Sequence, residues 1–466
     1  MRSPNDSEET GETAKTAESF SGSAISAPSA VSSFRWLLAK EYRELVASRA
    51  WWIMLALVGP FVGLSFISSV RTYSELSAGS GGAGGADVFS VLDGIWAPTF
   101  SAYELVAMFL LPFVAIRVVS GDRQSGALKL ELQQRMSPFT RVLAKALVLL
   151  AGWLISGGAA IAAIGLWKLY GGATYAPEIL VIAAGHVINA GLTVAFAAAA
   201  ASIAENASTA AILTLSFTVG TWVLQFLAAV QGGVWEQLAG YTPMAVVASF
   251  QHGLLPLDTV FVSAILIVAG LAIAATWIQL GVAIPRRLFQ SSAIVISASV
   301  LVACASLVHV SWDASENRRN SFPEADEEAL EQIRSPLRID AHLAPQDPRR
   351  FDLEHQALSK LRRVMPGVRV TYTSSTSLGL YEQAAPGYGE IWYELGGRRA
   401  MSRMTTAEGV LETIFGLAGV TPASENEPGA AGHPLVARPV GAAVVFYGVW
   451  PAVVAGLGMF VFRRHV

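Results

Sequence analysis

The feature that most constrains this chain is a series of long apolar runs almost free of charge. The first, Trp51 to Val70, has the roughly 20 residues that a helix rising 1.5 Å per residue needs to cross a hydrocarbon core of about 30 Å. It begins too far into the chain, and is too long, for a cleaved signal peptide, so it is expected to stay as an anchor. Seven more runs follow, at about Tyr103 to Val119, Leu143 to Trp167, Ile179 to Ile203, Ala210 to Val230, Val260 to Ile284, Ser291 to Val310 and Gly441 to Phe462. Composition agrees: 53% of residues are apolar and 14% charged, against about 25% charged in a soluble domain. A purely soluble enzyme is excluded, and the expected fold is an α-helical polytopic membrane protein of about eight spans.

Charge divides the chain further. Residues 1–34 are rich in Ser, Glu, Thr and Ala without apolar periodicity and read as a disordered cytoplasmic tail. Between Asp313 and Arg438 lie 18 acidic and 14 basic residues, 32 of the chain's 67 charges. A soluble-type segment therefore sits between spans. Basic residues near span ends are retained in the cytoplasm. With the N-terminus inside, cytoplasmic flanks hold fourteen, among them Lys40, Arg43, Arg117, Arg123, Lys145, Arg286 and Arg463, while the short outside loops hold only Arg71 and Lys168. The expected order is a six-span unit over 35–290, a seventh helix over 291–312, an outer segment over 313–440, and an eighth helix with a short tail over 441–466. Both termini are then cytoplasmic in a cell (inner) membrane, and the stretch Gly79 to Gly85 is a linker in the first outside loop.

The outer segment carries alternating signals. Glu327 to Ile333 and Phe351 to Val364 read as helices, and Leu337 to Leu343 and Val368 to Tyr372 as strands. Gly396-Gly397 between Glu390 to Leu395 and Arg398 to Met401 is a two-residue hairpin signal. A helix over Thr406 to Ala418 comes next, capped by Thr405 or Thr406. Strand, helix, strand, hairpin and helix fit a small α/β domain, thioredoxin-like in order. It contains no cysteine, since the chain has only Cys304, so binding or docking is its expected role and disulfide chemistry is excluded.

Catalytic constellations are missing. The six lysines (Lys15, Lys40, Lys129, Lys145, Lys168, Lys360) never follow a glycine, so no phosphate-cradling loop is present and any ATP must be bound by a partner. His186, His252, His309, His342 and His355 are scattered and form no His-Glu-x-x-His pattern. No metal or other cofactor is expected, and a net charge of -3 makes no case for nucleic acid. Polar residues inside spans are candidates for a translocation path: Glu104 at the start of span two, His186 and Asn189 on one face of span four, and Gln225 in span five. For His186 and Asn189 interhelical hydrogen bonding is the stronger expectation, because such contacts commonly hold bundles together.

The most informative loop is basic and lies between spans two and three, Arg117 to Arg141 followed by Lys145. Leu128, Leu132 and Met136 recur every four residues, predicting a short amphipathic helix on the cytoplasmic surface that stops before Pro138. At these residues the chain resembles the permeases of export-type (type 2) ABC transporters. The resemblance rests on Asp122, Arg123, Gly126, Ala127, Leu128, Pro138, Arg141 and Lys145, with Ala127 where the family has Thr and Ala144 where it has Gly. The segment from Lys40-Glu41-Tyr42-Arg43-Glu44 to Arg49 resembles the family's entry helix, and Tyr241-Thr242-Pro243 to Gly253 its outside loop before span six. Asp313 to Ala325 resembles the start of the extracytoplasmic auxiliary domain of gliding-motility-type ABC transport systems. The resemblance implies a permease that exports a substrate through a homodimer or a heterodimer with a related permease in the lipid bilayer. It also implies a cytoplasmic ABC ATPase docked on Asp122, Arg123, Gly126, Leu128, Leu132 and Arg135. The competing classes are a membrane anchor presenting the outer domain and a membrane-embedded enzyme.

Overall fold

A computed structural model describes residues 30–79, 90–126, 136–231, 234–240, 242–279, 281–308, 310–344, 347–365, 367–373, 387–421 and 432–465. The chain is an α-helical polytopic membrane protein. Eight helices are long and apolar enough to span: Arg49–Gly79, Leu92–Asp122, Pro138–Leu169, Ala176–Ile203, Ala207–Ala228, Leu257–Ile278, Ile284–Ala305 and Val444–Arg463. They are numbered as spans one to eight.

Each expected run falls within or across one of these helices, but several boundaries move: span one runs nine residues past Val70, and span two starts eleven residues before Tyr103. Spans six and seven end about six and five residues earlier than the apolar pattern suggests, and Ile284 opens span seven instead of closing span six. The backbone turns because Gln279 is extended, Gly281 has φ +78°, and Pro285 sits at the start of the helix after an extended Ala283. Proline suits the first turn of a helix, where its missing N–H would have no intrahelical partner. The entry helix, Ala30–Ala47, starts inside the segment read as a tail. Residues 1–29, most of the Gly79 to Gly85 linker, and 127–135, which include most of the amphipathic helix expected after span two, lie outside the described residues.

Spans one to four and six build the core, whereas five, seven and eight are mostly exposed and lie at its periphery. Span seven packs on span six, and span eight on span one. The second contact depends on two glycines one turn apart. A Cβ on Gly59 would lie 2.1 Å from the Trp450 ring, and one on Gly63 would lie 2.3 Å from Phe446 Cβ. Small residues at i and i+4 let a neighbouring helix approach closely without a hydrophobic driving force. Trp450 Nε1 then donates to Leu55 O at 2.7 Å. Leading into span eight, residues 432–441 lie along the end of span one. Tyr73 donates to His433 O at 2.6 Å, and Ser74 exchanges hydrogen bonds with both backbone groups of Ala437.

The other end of the insertion is tied to the bundle by a two-stranded antiparallel sheet, β1 (Leu254–Pro256) with β2 (Ser311–Asp313). Asp313 organises the loop after β2: its carboxylate accepts from Ser315 N and Oγ, Asn320 N and Nδ2, and Ser321 Oγ. That loop holds Asn317 and Arg318 at positive φ. Beyond it, β3 (Leu337–Ala341), β4 (Arg369–Tyr372), β5 (Ile391–Leu395) and β6 (Arg398–Ser402) form a sheet ordered β4-β3-β5-β6. The β3–β4 pair is parallel and the others are antiparallel. Leu337, Ile339 and Ala341 alternate inward with Ile391, Tyr393 and Leu395 and share a core with residues of Glu324–Glu331, Pro348–Val364 and Ala407–Ala418. The hairpin has Gly396 and Gly397 at φ +56° and +82°, the geometry a two-residue turn requires. Thr406, not Thr405, caps the helix Ala407–Ala418 by accepting from Gly409 N.

Gly59→Leu should therefore free span eight from span one. Overpacking of this kind costs about 1–3 kcal/mol, which should appear as a lower thermal midpoint and faster cleavage within 432–441. Gly456→Ala, which meets nothing within 4 Å, should leave both unchanged.

Candidate functional site

Where the entry helix crosses the bundle, five charged side chains meet. Glu41 is fully buried, and Lys145, two turns into span three, is nearly so. Span three is started by Ser137, whose Oγ accepts from Thr140 N, with Pro138 at the first helical position. This start sets Lys145 inside the apolar layer, facing span two. Its ammonium donates to both Glu41 oxygens at 2.8 Å and to Asp122 Oδ2. Lys40 completes the cluster, reaching Asp122 Oδ1 at 2.7 Å and Glu44 Oε1 at 3.0 Å. Burial pushes the Glu41 carboxyl above the ordinary carboxylate range, although Lys145 and Lys40 pull the other way. Oxygens of Glu41, Glu44 and Asp122 lie within 4.8 Å of one another, close enough for a cation, but the two ammonium groups already stand among them. The cluster fastens three elements together: the entry helix, the end of span two and the start of span three.

The Asp122 carboxylate is turned inward to Lys145 and Lys40. Gly126 is the left-handed C-cap of the helix that ends at Ser125, with φ +77°, and so turns the chain out of span two into the loop. Leu128, Leu132, Arg135 and the Arg123 side chain fall outside the described residues. In the sequence Glu41 stands out only as part of the entry helix. Its one signal is an acidic residue within an amphipathic segment beside a long apolar run.

A second polar group lies within the spans. Glu104 does not start span two but lies twelve residues after its first residue in Leu92–Asp122. His186 Nδ1 is 2.7 Å from Glu104 Oε2, and Asn189 Nδ2 donates to Glu104 Oε1. The imidazole stacks on Phe100 with centroids 5.5 Å apart. Two atoms of this group, His186 Nε2 and Asn189 Oδ1, are buried without a partner among the described residues. Gln225 stands apart from it, donating to Thr242 Oγ1 at 2.6 Å and Ala239 O at 2.9 Å. The structure thus joins three of the four polar residues expected along a path, and joins them by interhelical hydrogen bonds. Asn189 also lines a cavity of about 950 Å³ between spans four, five, six and seven.

Removing one partner from a buried ion pair costs about 3–5 kcal/mol, because the other charge is left uncompensated. Lys145→Met should lose stability on that scale in chemical unfolding of the detergent-solubilised protein. Glu41→Gln should lose markedly less, since Lys145 keeps Asp122 as a counter-charge, and combining Lys145→Met with Glu41→Gln and Asp122→Asn should recover part of the loss. Comparison of the chain with family models, with curated proteins and with solved structures gave no match.

Proposed function

We propose that this chain is the membrane-spanning permease subunit of an ABC-type exporter, coupling ATP hydrolysis on a separate cytoplasmic ATPase to translocation of a substrate. The observation that carries the reading is the buried cluster. Glu41, Asp122 and Lys145, which belong to the segments that resemble type 2 permeases, are far apart in sequence and meet in one ion-paired knot. A knot of this kind gives a docked partner a lever. Force applied to the loop after span two reaches the entry helix and span three together, because neither can move without exposing or unpairing a buried charge.

In this reading the N-terminus is cytoplasmic, as the basic residues flanking the spans require. The permease pairs with a second copy or a related permease, and Glu104, His186 and Asn189 lie along the path. Residues 313–440 form a small α/β domain outside the cytoplasm. The strand order β4-β3-β5-β6, with a parallel pair followed by a hairpin, supports a thioredoxin-like unit there. Its ties to the bundle through β2 and through the segment before span eight make it a rigid appendage of the transporter.

Leu128 and Leu132 would supply the buried contact with the ATPase. Burying one leucine is worth roughly 1.5–3 kcal/mol, so changing both to Asp should weaken docking far more than tenfold. Purified from native membranes, the wild-type chain should bring an ATPase with it. The double variant should reach the membrane in normal amount without it. Full association of the variant would refute the docking assignment, and a wild-type chain that never carries an ATPase would favour a membrane anchor.

A further inference from the structure

The entry helix, Ala30–Ala47, has two faces with different tasks. Leu37, Glu41 and Leu45 recur every four residues and are buried, the spacing of a single helical face. Glu41 meets Lys145 of span three, and one turn further on Leu45 packs at Gly152, where an added Cβ would lie 2.5 Å from its Cδ2. Lys40 meets Asp122, the last residue of span two. The helix therefore runs obliquely along span three at the level where span two ends, which is the boundary between hydrocarbon and head groups.

The opposite face is turned away from the bundle. Arg35, Trp36, Ala39, Tyr42 and Arg43 are all exposed, and at 3.6 residues per turn they fall within roughly 120° of the helix circumference. Trp36 is 72% exposed and Tyr42 48%. Rings of this kind, with an apolar body and a polar tip, settle at the head-group level of a membrane. Charge points the same way. The acidic residues of the entry helix, Glu41 and Glu44, are both held by lysines. Neither Arg35 nor Arg43 has an ion-pair or hydrogen-bond partner among the described residues. The outward face is thus aromatic and positive, with two guanidinium groups eight residues apart in the chain, roughly 12 Å along the helix. A guanidinium matches the oxygens of a phosphate bidentately, and an anionic surface attracts arginines held beside it.

We propose that this face binds the anionic phospholipids of the membrane, Arg35 and Arg43 holding their phosphates while Trp36 and Tyr42 sit in the head-group layer. The inference goes beyond the exporter reading and does not depend on it. It rests on the long apolar helices being membrane spans, so it holds equally for a chain that never meets an ATPase.

The test uses the full chain in phosphatidylcholine nanodiscs, with a fluorophore attached to Ala39→Cys after Cys304→Ser. A small fraction of the lipid carries a nitroxide quencher near the head of one acyl chain, on phosphatidylglycerol in one sample and on phosphatidylcholine in the other. One arginine beside an anionic surface is worth about a fivefold enrichment. Quenching by the phosphatidylglycerol probe should therefore correspond to at least that excess of anionic lipid at the label, and Arg35→Gln combined with Arg43→Gln should bring the two probes level. Both arginines are exposed and unpaired, so the double variant should keep its thermal midpoint. Arg71→Gln, near the other end of span one, should keep the preference. Equal quenching by the two probes in the parent protein would overturn the inference. So would negligible quenching by either, which would place the face against water or a protein partner, and so would a preference that survives the double variant or is lost with Arg71→Gln.

Discussion

The structure depends on one interaction that is expensive to leave half made: the Lys145 ammonium held between the Glu41 and Asp122 carboxylates. A charge taken out of water is tolerated only when its partners are in place. Those partners come from an entry helix that lies outside the spans and from the far end of span two. The position of each is therefore fixed by the other two. Lys40 extends the knot to Asp122 and Glu44 at a partly exposed site, where the contribution of each pair is small. The stabilising and ordering effect lies mainly with Lys145.

A second constraint acts at the opposite end of the spans. The insertion that carries the sheet enters through span seven and returns through span eight, which pack on different partners, spans six and one. Its two ends are fixed by different means. The entry uses the β1–β2 pair and the Asp313 hydrogen bonds. The return uses Ser74, Tyr73 and the Gly59–Gly63 groove that admits Trp450 and Phe446. His433, on the return segment, also meets Glu316 on the entry segment at 2.9 Å, so the two attachments touch. An appendage held this way follows the movement of the bundle.

Hydropathy makes the spans legible, because lipid imposes length and polarity on every helix that crosses it. The same signal misplaces the turn between spans six and seven, where Val282, Ala283 and Ile284 stay apolar while Gly281 and Pro285 redirect the backbone. The Gly396-Gly397 hairpin and the Thr406 cap are readable since both obey local rules. The β1–β2 pair is not, being three residues long and joining Leu254 to Asp313 across two spans. At the candidate site, residue types are visible but pairings are not. Glu41 and Lys145 are 104 residues apart, and Glu104 and His186 are 82 apart. No periodicity connects such positions. Sequence alone therefore leaves the partners of Asp122 unread and sets Glu104 at the start of a span, whereas it lies well inside Leu92–Asp122.

The claim that the buried cluster makes the entry helix and the start of span three a single mechanical unit is open to direct measurement. Spin labels at the exposed residues Tyr42 and Leu147 report the distance between the two elements by pulsed electron resonance. The account predicts one narrow distance distribution in the intact protein and a broad or shifted one in Lys145→Met. A distribution of equal width and position in the variant would mean that the elements are held by something other than the ion cluster, and would contradict the account.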